Sequence, residues 1–457
     1  MKFNTAITWF SRAYKFFEAI TQEQVGLIDK FVDNNFPQIL SELQAFSKKE
    51  KIAFLMSNGK KTTVDLFNQI ITASGQNYIS NVEKNSKIHP CLTSIILELK
   101  KNLSEIEEEN KKDYYSMAFF ENQLMKYFNS MKFDYLVLNN LFFDQKDNLS
   151  LLDKKRKIQE ALVLNSKINL LVNADEPMFE GIDDINNDTA INTRRNKIYF
   201  GFKNVEIFEE GKDTRQDNDV VICPKCGCSL TYKKRYYSHL GEYDCECGFK
   251  RPKLDIIGSV KVFADYSFLD VEYKNNKYSF KLPIGGVYNA YNALCAVALA
   301  LVLGFERKTI STAFENYCPV QFRDEVIEYK NKKIKLKTIK NPTSLTESLR
   351  EVAQNKNAKV VFALNDRLED GANSDWIWNA NFNSIVNSEN KIYTCSRLCD
   401  DVALKLKYSG VNPSLIVIDP SIKNTIECCY WELEKSEYML ILATPSLKDD
   451  ICNILRK

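Results

Sequence analysis

Short apolar segments alternate with helical segments along this chain from residue 51 onward. Buried strands are predicted at Lys51–Ser57, Tyr115–Glu121, Phe133–Asn140, Lys167–Asp175 and Lys197–Phe202, and helices at Thr62–Ala73, Asp153–Leu164 and Asn292–Leu303. A second series has strands at Ala358–Asn365, Ser414–Asp419 and Met439–Thr444 and a helix at Val402–Tyr408. Strands that alternate with helices indicate parallel sheets covered by helices. The predicted fold class is therefore α/β, with two units that meet near Gln321–Ile327.

Two further segments depart from this alternation. In residues 1–50, apolar side chains recur with helical spacing between Trp9 and Ile20, which predicts a helical segment. Such a helix packs against the next domain or lies on a lipid surface, and the sequence leaves both readings open. Residues 221–253 are rich in cysteine and interrupt the first α/β unit. The predicted segments are 1–50, 51–325 with the insertion 221–253, and 326–457.

Composition excludes several classes of protein. The chain has 457 residues with a formal net charge of +2, which gives no strong attraction to nucleic acid. The longest apolar run, Ala293–Leu303, is shorter than the roughly 18 residues of a membrane-spanning helix. An odd number of cysteines, 13, and no evident signal peptide favour a reducing cytoplasm. The presence of only two histidines, His89 and His239, argues against a His-dependent hydrolase within this chain.

The segment Ser57-Asn58-Gly59-Lys60-Lys61-Thr62-Thr63 follows a predicted strand and opens a predicted helix. A phosphate-binding loop occupies this place, because the helix N-terminus attracts anions and a lysine neutralises the phosphates. The usual loop has a hydroxyl directly after the lysine to hold Mg²⁺ and an earlier glycine. Here Lys61 and Met56 stand at those positions. A nucleotide site and an ordinary strand–helix turn therefore both remain open from this segment alone.

Four cysteines have the spacing of a structural metal site. Cys223 and Cys226 form one C-x-x-C pair, and Cys245 and Cys247 form a tighter C-x-C pair about 20 residues later. Two thiolate pairs suit tetrahedral Zn²⁺, so we expect a zinc ribbon. Cys228 and His239 lie close enough in sequence to be substitute ligands. A nucleic-acid-binding ribbon would look similar, but its loop is only modestly basic.

Acidic and amide side chains follow several predicted strands, at the edge where parallel sheets bind ligands. Glu121 ends the second strand, and Asp144 follows the third. In the second unit, Asp366 follows a strand and Asp370 precedes a glycine in a predicted turn. Each of these residues is also compatible with a solvated strand end or a capped turn. The nearby Trp376 and Trp378 fit an interface or a domain core equally well.

Taken in order, these fragments resemble the MurT family, the Mur-ligase-like subunits of lipid II isoglutaminyl synthase. The matching pieces are Ser57–Thr63, Phe120–Lys126, Asn140–Gln145, Asn173–Pro177, Tyr236–Gly241, Gly248–Pro252, Tyr288–Ala293, Lys340–Pro342 and Asp375–Trp378. Each piece is weak alone, but their order and the position of the cysteine insertion are specific. The resemblance covers nearly the whole chain after about residue 50. It implies a P-loop Mur-ligase central domain with an inserted zinc ribbon, followed by a Rossmann-like C-terminal domain.

The resemblance also implies an activity, which is ATP-dependent amidation of the D-glutamate α-carboxylate in the lipid II stem peptide through an acyl phosphate. A separate GatD-like glutaminase subunit would supply the ammonia. By position, the nucleotide-binding residues would be Asn58, Gly59, Lys60, Thr62, Thr63, Asp144, Asn292 and Arg323. Lys60 would clamp the phosphates, Glu121 would bind Mg²⁺, Asn292 would contact adenine, and Arg323 would lie nearby. Asp366, Asp370 and Asp375 are candidates for the acid that the family is thought to lend to the glutaminase.

This sequence departs from the family pattern at several of these positions. Lys61 replaces the Mg²⁺-binding hydroxyl, Phe143 replaces an arginine, and amides such as Asn373 and Asn379 replace acids of the second domain. Two functions therefore compete, an active ligase subunit and a non-catalytic scaffold that binds a partner and turns over little ATP. The net charge disfavours a third, a nucleic-acid-associated ATPase with a zinc ribbon.

Overall fold

A computed structural model describes most of the chain after residue 47. The described residues are 48–82, 113–142, 149–184, 195–207, 221–263, 266–317, 324–354, 358–367, 370, 374–387, 389–434 and 437–456. Most of the predicted N-terminal helical segment, together with His89, Asp144 and Arg323, lies outside these ranges. The chain divides into two compact units, the first made of residues 1–141, 151–209 and 217–320, and the second of residues 142–150, 210–216 and 321–457.

The first unit is built on one large sheet. Its strands are β1 Lys51–Leu55, β2 Tyr78–Ser80, β3 Tyr114–Phe119, β4 Tyr135–Leu138, β5 Asn169–Asn173, β6 Lys197–Ile207, β9 Ile256–Val262, β10 Ser267–Tyr273 and β11 Asn276–Leu282, with β7 Thr231–Tyr237 and β8 Leu240–Asp244 in a separate hairpin. Its helices are α1 Lys60–Ala73, α2 Glu121–Ser130, α3 Leu151–Leu164, α4 Val287–Val302 and α5 Arg307–Glu315. Within the described residues the sheet order is β11-β10-β9-β6-β5-β4-β1-β3-β2.

The central strands of this sheet are parallel, as the apolar segments predict. β1 pairs in parallel with β3 and β4, and β5 continues the parallel series between β4 and β6. β1 and β3 are almost completely buried because helices cover both faces of the sheet. The carboxyl ends of β1, β3, β4 and β5 therefore meet along one edge, where the candidate site lies.

Strands β9, β10 and β11 form an antiparallel extension of the sheet. Along these strands, buried residues alternate with more exposed ones. In β9, for example, every second residue is buried, and the residues between them are intermediate or exposed. These strands were not predicted from the sequence, because an antiparallel edge leaves one face in solvent and its strands are not continuously apolar.

Helix α4 contains the longest apolar run of the chain, and it lies in the core. Ala293 to Ala300 are completely buried, which explains a helix that is apolar on every side. In the part of the chain that the structure describes, we find no helix with the length and hydropathy needed to cross a bilayer.

The second unit has its own sheet. Its strands are β12 Asp324–Tyr329, β13 Lys332–Thr338, β14 Ala358–Ala363, β15 Ile392–Cys395, β16 Ile416–Ile418 and β17 Tyr438–Ala443, and its helices are α6 Pro342–Gln354, α7 Cys399–Tyr408, α8 Ile422–Trp431 and α9 Lys448–Leu455. The order among described strands is β12-β13-β17-β14-β15-β16, parallel except for the β12–β13 hairpin. Separate apolar clusters cover its two faces, as expected for a doubly wound sheet.

Candidate functional site

The segment Ser57–Thr63 joins β1 to α1 and has the local geometry of a phosphate-binding loop. Gly59 precedes the helix and has φ +81°, a conformation that favours glycine. The Asn292 side chain lies against it, so that a Cβ at this position would fall 2.6 Å from Asn292 Cγ. The loop therefore requires glycine for two independent reasons, and it presents the N-terminus of a 14-residue helix, where anions are favoured.

Asn140 holds the loop from the end of the neighbouring strand β4. Its Oδ1 accepts a hydrogen bond from the Asn58 backbone N–H at 2.9 Å, and its Nδ2 donates to the Asn58 carbonyl at 3.0 Å. The Asn140 carbonyl also accepts from the Ser57 N–H at 3.1 Å. From the sequence, Asn140 is predicted only as part of a turn or of a family motif, whereas in the structure it fixes the backbone of the loop.

Lys60 is buried within the loop, with only 5% of the residue exposed. Its Nζ donates to the Met56 carbonyl and lies 4.1 Å from the centroid of the Phe120 ring. An ammonium group over an aromatic face is stabilised by the ring quadrupole. Lys61 and Thr62 are half-buried, whereas Thr63 is fully buried. Of the two threonines, Thr62 is thus the more accessible.

Glu121 lies beside the loop, but not at the end of a strand as the sequence predicted. Strand β3 ends at Phe119, and Glu121 is the first residue of α2. The carboxylate is 3% exposed, and its Oε1 accepts from Ser57 Oγ at 3.2 Å. The fully buried Lys154 places its Nζ 3.9 Å from the same oxygen. A carboxylate with a neighbouring hydroxyl is suitable for Mg²⁺, but the lysine brings a second cation to that position.

Asn292 lies beneath the loop. It is 2% exposed, and its Oδ1 accepts from Thr63 Oγ1 at 3.2 Å and from Asn139 Nδ2 at 3.4 Å. Its Nδ2 is buried and has no hydrogen-bond partner in the described part of the chain. The Asn292 side chain thus supports Gly59 and Thr63, and its contact with adenine, which the resemblance implies, stays a prediction. Asp144 and Arg323 lie outside the described residues, so their roles stay predictions.

Two buried carboxylates follow β5, and the sequence analysis gave neither a role. Asp175 Oδ2 accepts from the Phe202 N–H at 2.9 Å and from the Tyr291 hydroxyl at 2.7 Å. Its Oδ1 lies 3.0 Å from Arg251 Nε. Burial raises the pKa of Asp175 to about 6, although Arg251 and both donors oppose the rise. The carboxyl group is therefore mainly ionised at neutral pH.

The second carboxylate, Glu176, is completely buried and joins three parts of the first unit. Its Oε2 accepts from the Leu141 N–H at 2.9 Å and lies 2.7 Å from His239 Nε2, while Oε1 accepts from the Met178 N–H at 3.1 Å. His239 thus contacts Glu176 rather than the cysteine cluster. Both residues belong to matching pieces, but the sequence does not indicate that they contact each other.

The four predicted cysteines come together around one point. Cys223, Cys226, Cys245 and Cys247 have all four sulfur atoms within 4.8 Å of one another, with separations of 3.8 Å for Cys223–Cys247 and 3.5 Å for Cys226–Cys245. A tetrahedral zinc ion with bonds near 2.3 Å separates its sulfur ligands by about 3.8 Å. The residues therefore fit Zn²⁺, while Cys228 is exposed and lies outside the group. The cysteines flank the β7–β8 hairpin, and we call residues 221–253 the ribbon.

In the second unit, the three candidate acids Asp366, Asp370 and Asp375 differ in access to solvent. Asp366 follows β14, its side chain is 27% exposed, and its Oδ1 lies 3.3 Å from Arg397 Nε. Asp370 is 5% exposed, and its Oδ1 accepts from the Ser446 N–H at 3.0 Å, an arrangement that ties two turns together. Asp370 therefore has a structural contact, whereas Asp366 is partly accessible and Asp375 is exposed.

The two tryptophans of this unit also separate. Trp376 is 3% exposed and belongs to an apolar core cluster. Trp378 is 40% exposed, its ring centroid lies 6.1 Å from that of the exposed Tyr408, and Lys405 Nζ lies 5.6 Å from it. The core interpretation therefore holds for Trp376, and the interface interpretation stays a prediction for the exposed Trp378.

Comparison with known proteins shows which proteins this chain resembles. Residues 338–446 match the family model described as MurT ligase C-terminal. The MurT subunit of lipid II isoglutaminyl synthase (glutamine-hydrolyzing) of Staphylococcus aureus (strain COL) is 28% identical over 398 residues, 86% of this chain and 84% of that protein. The corresponding subunit of Streptococcus pneumoniae (strain ATCC BAA-255 / R6) is 28% identical over 437 residues, 88% and 86% of the two chains. The chain is a divergent MurT homologue.

Solved structures show that this MurT homologue has the Mur-ligase fold. A pseudomurein peptide ligase type C from Methanothermus fervidus superposes with a TM-score of 0.68 at 19% identity, covering 91% of this chain and 80% of that one. MurF from Acinetobacter baumannii superposes with a TM-score of 0.62 at 12% identity, covering 92% of this chain and 80% of that one. At these identities the similarity establishes the fold alone, and the predicted α/β Mur-ligase class is confirmed at that level.

Proposed function

We propose that this chain is the ligase subunit of a two-subunit enzyme that amidates the D-glutamate α-carboxylate of the lipid II stem peptide to D-isoglutamine. The observation that carries the proposal is the Ser57–Thr63 loop, built on Gly59 and held by Asn140, in a chain similar over 86% of its length to a MurT subunit. We assign 51–325 to the ATP-binding domain with the ribbon at 221–253, 326–457 to the partner-binding domain, and 1–50 to a helical segment.

The proposed chemistry has two steps. A carboxylate oxygen of the substrate attacks the γ-phosphorus of ATP, ADP leaves, and an acyl phosphate forms. Ammonia then attacks the acyl carbon, inorganic phosphate leaves, and a proton is lost to give the amide. A carboxylate is a poor acylating agent, so phosphorylation is what makes the second step possible. In phosphoryl transfer the protein contributes mainly positioning and charge stabilisation.

The residues of the loop have distinct proposed roles. The backbone of Asn58 to Thr63 cradles the phosphates at the N-terminus of α1, and Lys60 supplies the neutralising charge. Glu121 is the protein ligand for Mg²⁺, which would supply charge neutralisation at the phosphates. Thr62 is the candidate hydroxyl ligand, since Thr63 donates to Asn292. Asn292 supports the loop from below.

Ammonia in this scheme comes from another chain. His239 contacts the buried Glu176, which leaves it unsuited to glutamine hydrolysis, and a cysteine nucleophile paired with either histidine is not evident from the sequence. We propose a GatD-like glutaminase subunit that binds the second unit. Asp366, Asp375 and Trp378 are accessible members of the predicted contact segment. No nucleic acid is involved in this scheme, and the enzyme works at the inner face of the membrane because its substrate is lipid-linked.

The ribbon is proposed to hold one Zn²⁺ through Cys223, Cys226, Cys245 and Cys247. The sulfur separations of 3.5 and 3.8 Å fit the tetrahedral arrangement of such a site. Bound zinc would supply structural cross-linking of the two ends of the ribbon, because each cysteine pair lies at one of them.

The function is tested by incubating the purified chain with a GatD-like subunit, lipid II, ATP and glutamine. We expect conversion of the acid to the amide by mass spectrometry, together with ADP release. Lys60→Ala should abolish both, whereas Lys233→Ala, on the exposed face of the ribbon, should change neither. Absence of amide and ADP at saturating substrate would reject the ligase assignment.

The alternative is a scaffold that binds the partner and turns over little ATP. Lys61 in the loop and the Lys154 ammonium 3.9 Å from Glu121 favour it, because both place positive charge near the proposed Mg²⁺ position. Calorimetry with MgATP distinguishes the two functions. Formation of the complex with the partner, without MgATP binding at millimolar concentration, would support the scaffold.

A further inference from the structure

We propose that the ribbon is a brace for the phosphate-binding loop, and that His239 and Arg251 are positioning residues that act on the loop through the buried carboxylates Glu176 and Asp175. Two separate paths of direct contacts lead from the ribbon to the loop. Both lie within the first unit and involve only described residues.

The first path begins at the turn of the β7–β8 hairpin. His239 Nε2 lies 2.7 Å from Glu176 Oε2, and the same oxygen accepts from the Leu141 N–H at 2.9 Å. Leu141 directly follows Asn140, whose amide holds both backbone groups of Asn58. One carboxylate oxygen is therefore shared between the ribbon and the segment that fixes the loop.

The second path begins at the end of the ribbon. Arg251 Nε lies 3.0 Å from Asp175 Oδ1, and Asp175 Oδ2 accepts from the Tyr291 hydroxyl at 2.7 Å. Tyr291 precedes Asn292 on α4, and Asn292 packs against Gly59 and accepts from Thr63. Arg251 also donates from Nη2 to the Phe202 carbonyl at 2.9 Å. Through Arg251, the ribbon thus also contacts Asp175, which holds Tyr291 and with it the part of α4 that lies beneath the loop.

Burial makes both paths sensitive to the loss of one partner. Asp175 and Glu176 are completely buried, and the side chains of His239 and Arg251 are only 13% and 9% exposed. A buried carboxylate that loses a charged or hydrogen-bonded partner must reorganise its remaining contacts, because water cannot replace the partner. Besides the Met178 and Phe202 N–H groups, those remaining contacts include the Leu141 N–H and the Tyr291 hydroxyl, which lead to the loop.

The direct test measures hydrogen exchange of the loop amides, which needs neither nucleotide nor partner. In His239→Leu and Arg251→Met, we expect faster exchange at Ser57–Thr63 and at Asn139–Leu141 while zinc content is unchanged. His239→Gln retains a donor toward Glu176 and should restore much of the protection. Lys233→Ala alters an exposed ribbon residue whose side chain is 71% exposed, and it should leave the loop unchanged.

A second readout follows, and it rests on the proposed function. We expect His239→Leu to raise the Kd and the KM for ATP by about tenfold, the effect of losing one hydrogen bond to a charged group, with little change in the KM for the acceptor. If the unaltered chain binds no nucleotide, the proposed function fails while the exchange measurement still tests the brace. Unchanged loop exchange in both His239→Leu and Arg251→Met would overturn the brace, as would equal loss of protection in His239→Gln and His239→Leu.

Discussion

Replacing Gly59 with alanine tests the construction of the phosphate-binding loop. At φ +81° a side chain costs about 1 kcal/mol relative to glycine. The new Cβ would also lie 2.6 Å from Asn292 Cγ, so the Asn292 side chain must move. Its movement disrupts the buried hydrogen bond from Thr63, which costs about 1–3 kcal/mol. We therefore expect Gly59→Ala to destabilise the first unit by about 2–4 kcal/mol.

Gly75→Ala is the matched control. Gly75 lies just after the same helix with φ +74°, but nothing lies within 4 Å of its hypothetical Cβ. It should therefore show only the backbone cost of about 1 kcal/mol. In an Asn292→Ala background the steric part disappears, so the cost of Gly59→Ala should fall to that of the control.

Hydrogen exchange of the buried β1 amides, Ile52 to Leu55, is the appropriate assay, because it reports the opening free energy of the first unit without requiring two-state unfolding of the whole chain. Equal costs for Gly59→Ala and Gly75→Ala would refute the reasoning. So would a cost for Gly59→Ala that is the same with and without Asn292, since the two residues would then be uncoupled.

Three further predictions concern the metal sites and the buried carboxylate. The double variant Cys223→Ser, Cys226→Ser should lose zinc by elemental analysis, whereas Cys228→Ser should keep about one ion per chain; full zinc in the double variant would identify other ligands. Lys61→Thr should strengthen the Mg²⁺ dependence of ATP binding in calorimetry several-fold, because a hydroxyl replaces a like charge, and unchanged dependence would show that Lys61 points away from the metal. Because the pKa of Asp175 rises from 3.8 to about 6 on folding, the folded state holds the proton more tightly, and this group's contribution to stability should fall as pH rises from about 4 to 6. The free energy of unfolding of the unaltered chain, compared with that of Asp175→Asn between about pH 4 and pH 6, measures this contribution. If the stability of the unaltered chain relative to the variant instead rises with pH, Arg251 and the hydrogen-bond donors outweigh the effect of burial on the pKa of Asp175.

Much of the fold follows from local patterns in the sequence. The strand preceding the loop, predicted at Lys51–Ser57, ends at Leu55, and the helix predicted at Thr62–Ala73 begins two residues earlier at Lys60. These elements were predictable because a strand buried on both faces must be continuously apolar. Helix α4 was predictable for a similar reason, although its start at Val287 lies five residues before the predicted one. The hairpin β12–β13 was not predictable, because charged residues that alternate along one face of its strands resemble a loop in the sequence.

The cysteine cluster also follows from sequence, because its ligand spacing is set by the two short turns that carry the cysteines. The contacts that join distant segments required the tertiary structure. Nothing in the spacing of His239 and Glu176, which are 63 residues apart, indicates that they lie 2.7 Å apart. The sequence likewise does not indicate that Asn292 packs against Gly59, or that Trp376 is buried while Trp378 is exposed.

The sequence by itself determined the continuously apolar strands, several of the helices and the cysteine-bearing turns, because those choices depend on neighbouring residues and on periodicity. Only the tertiary structure decided which polar side chains are buried and what each one contacts. Asn292 became a support for the loop and Glu176 a link to the ribbon, because the burial cost of each polar group is offset by partners from other parts of the chain.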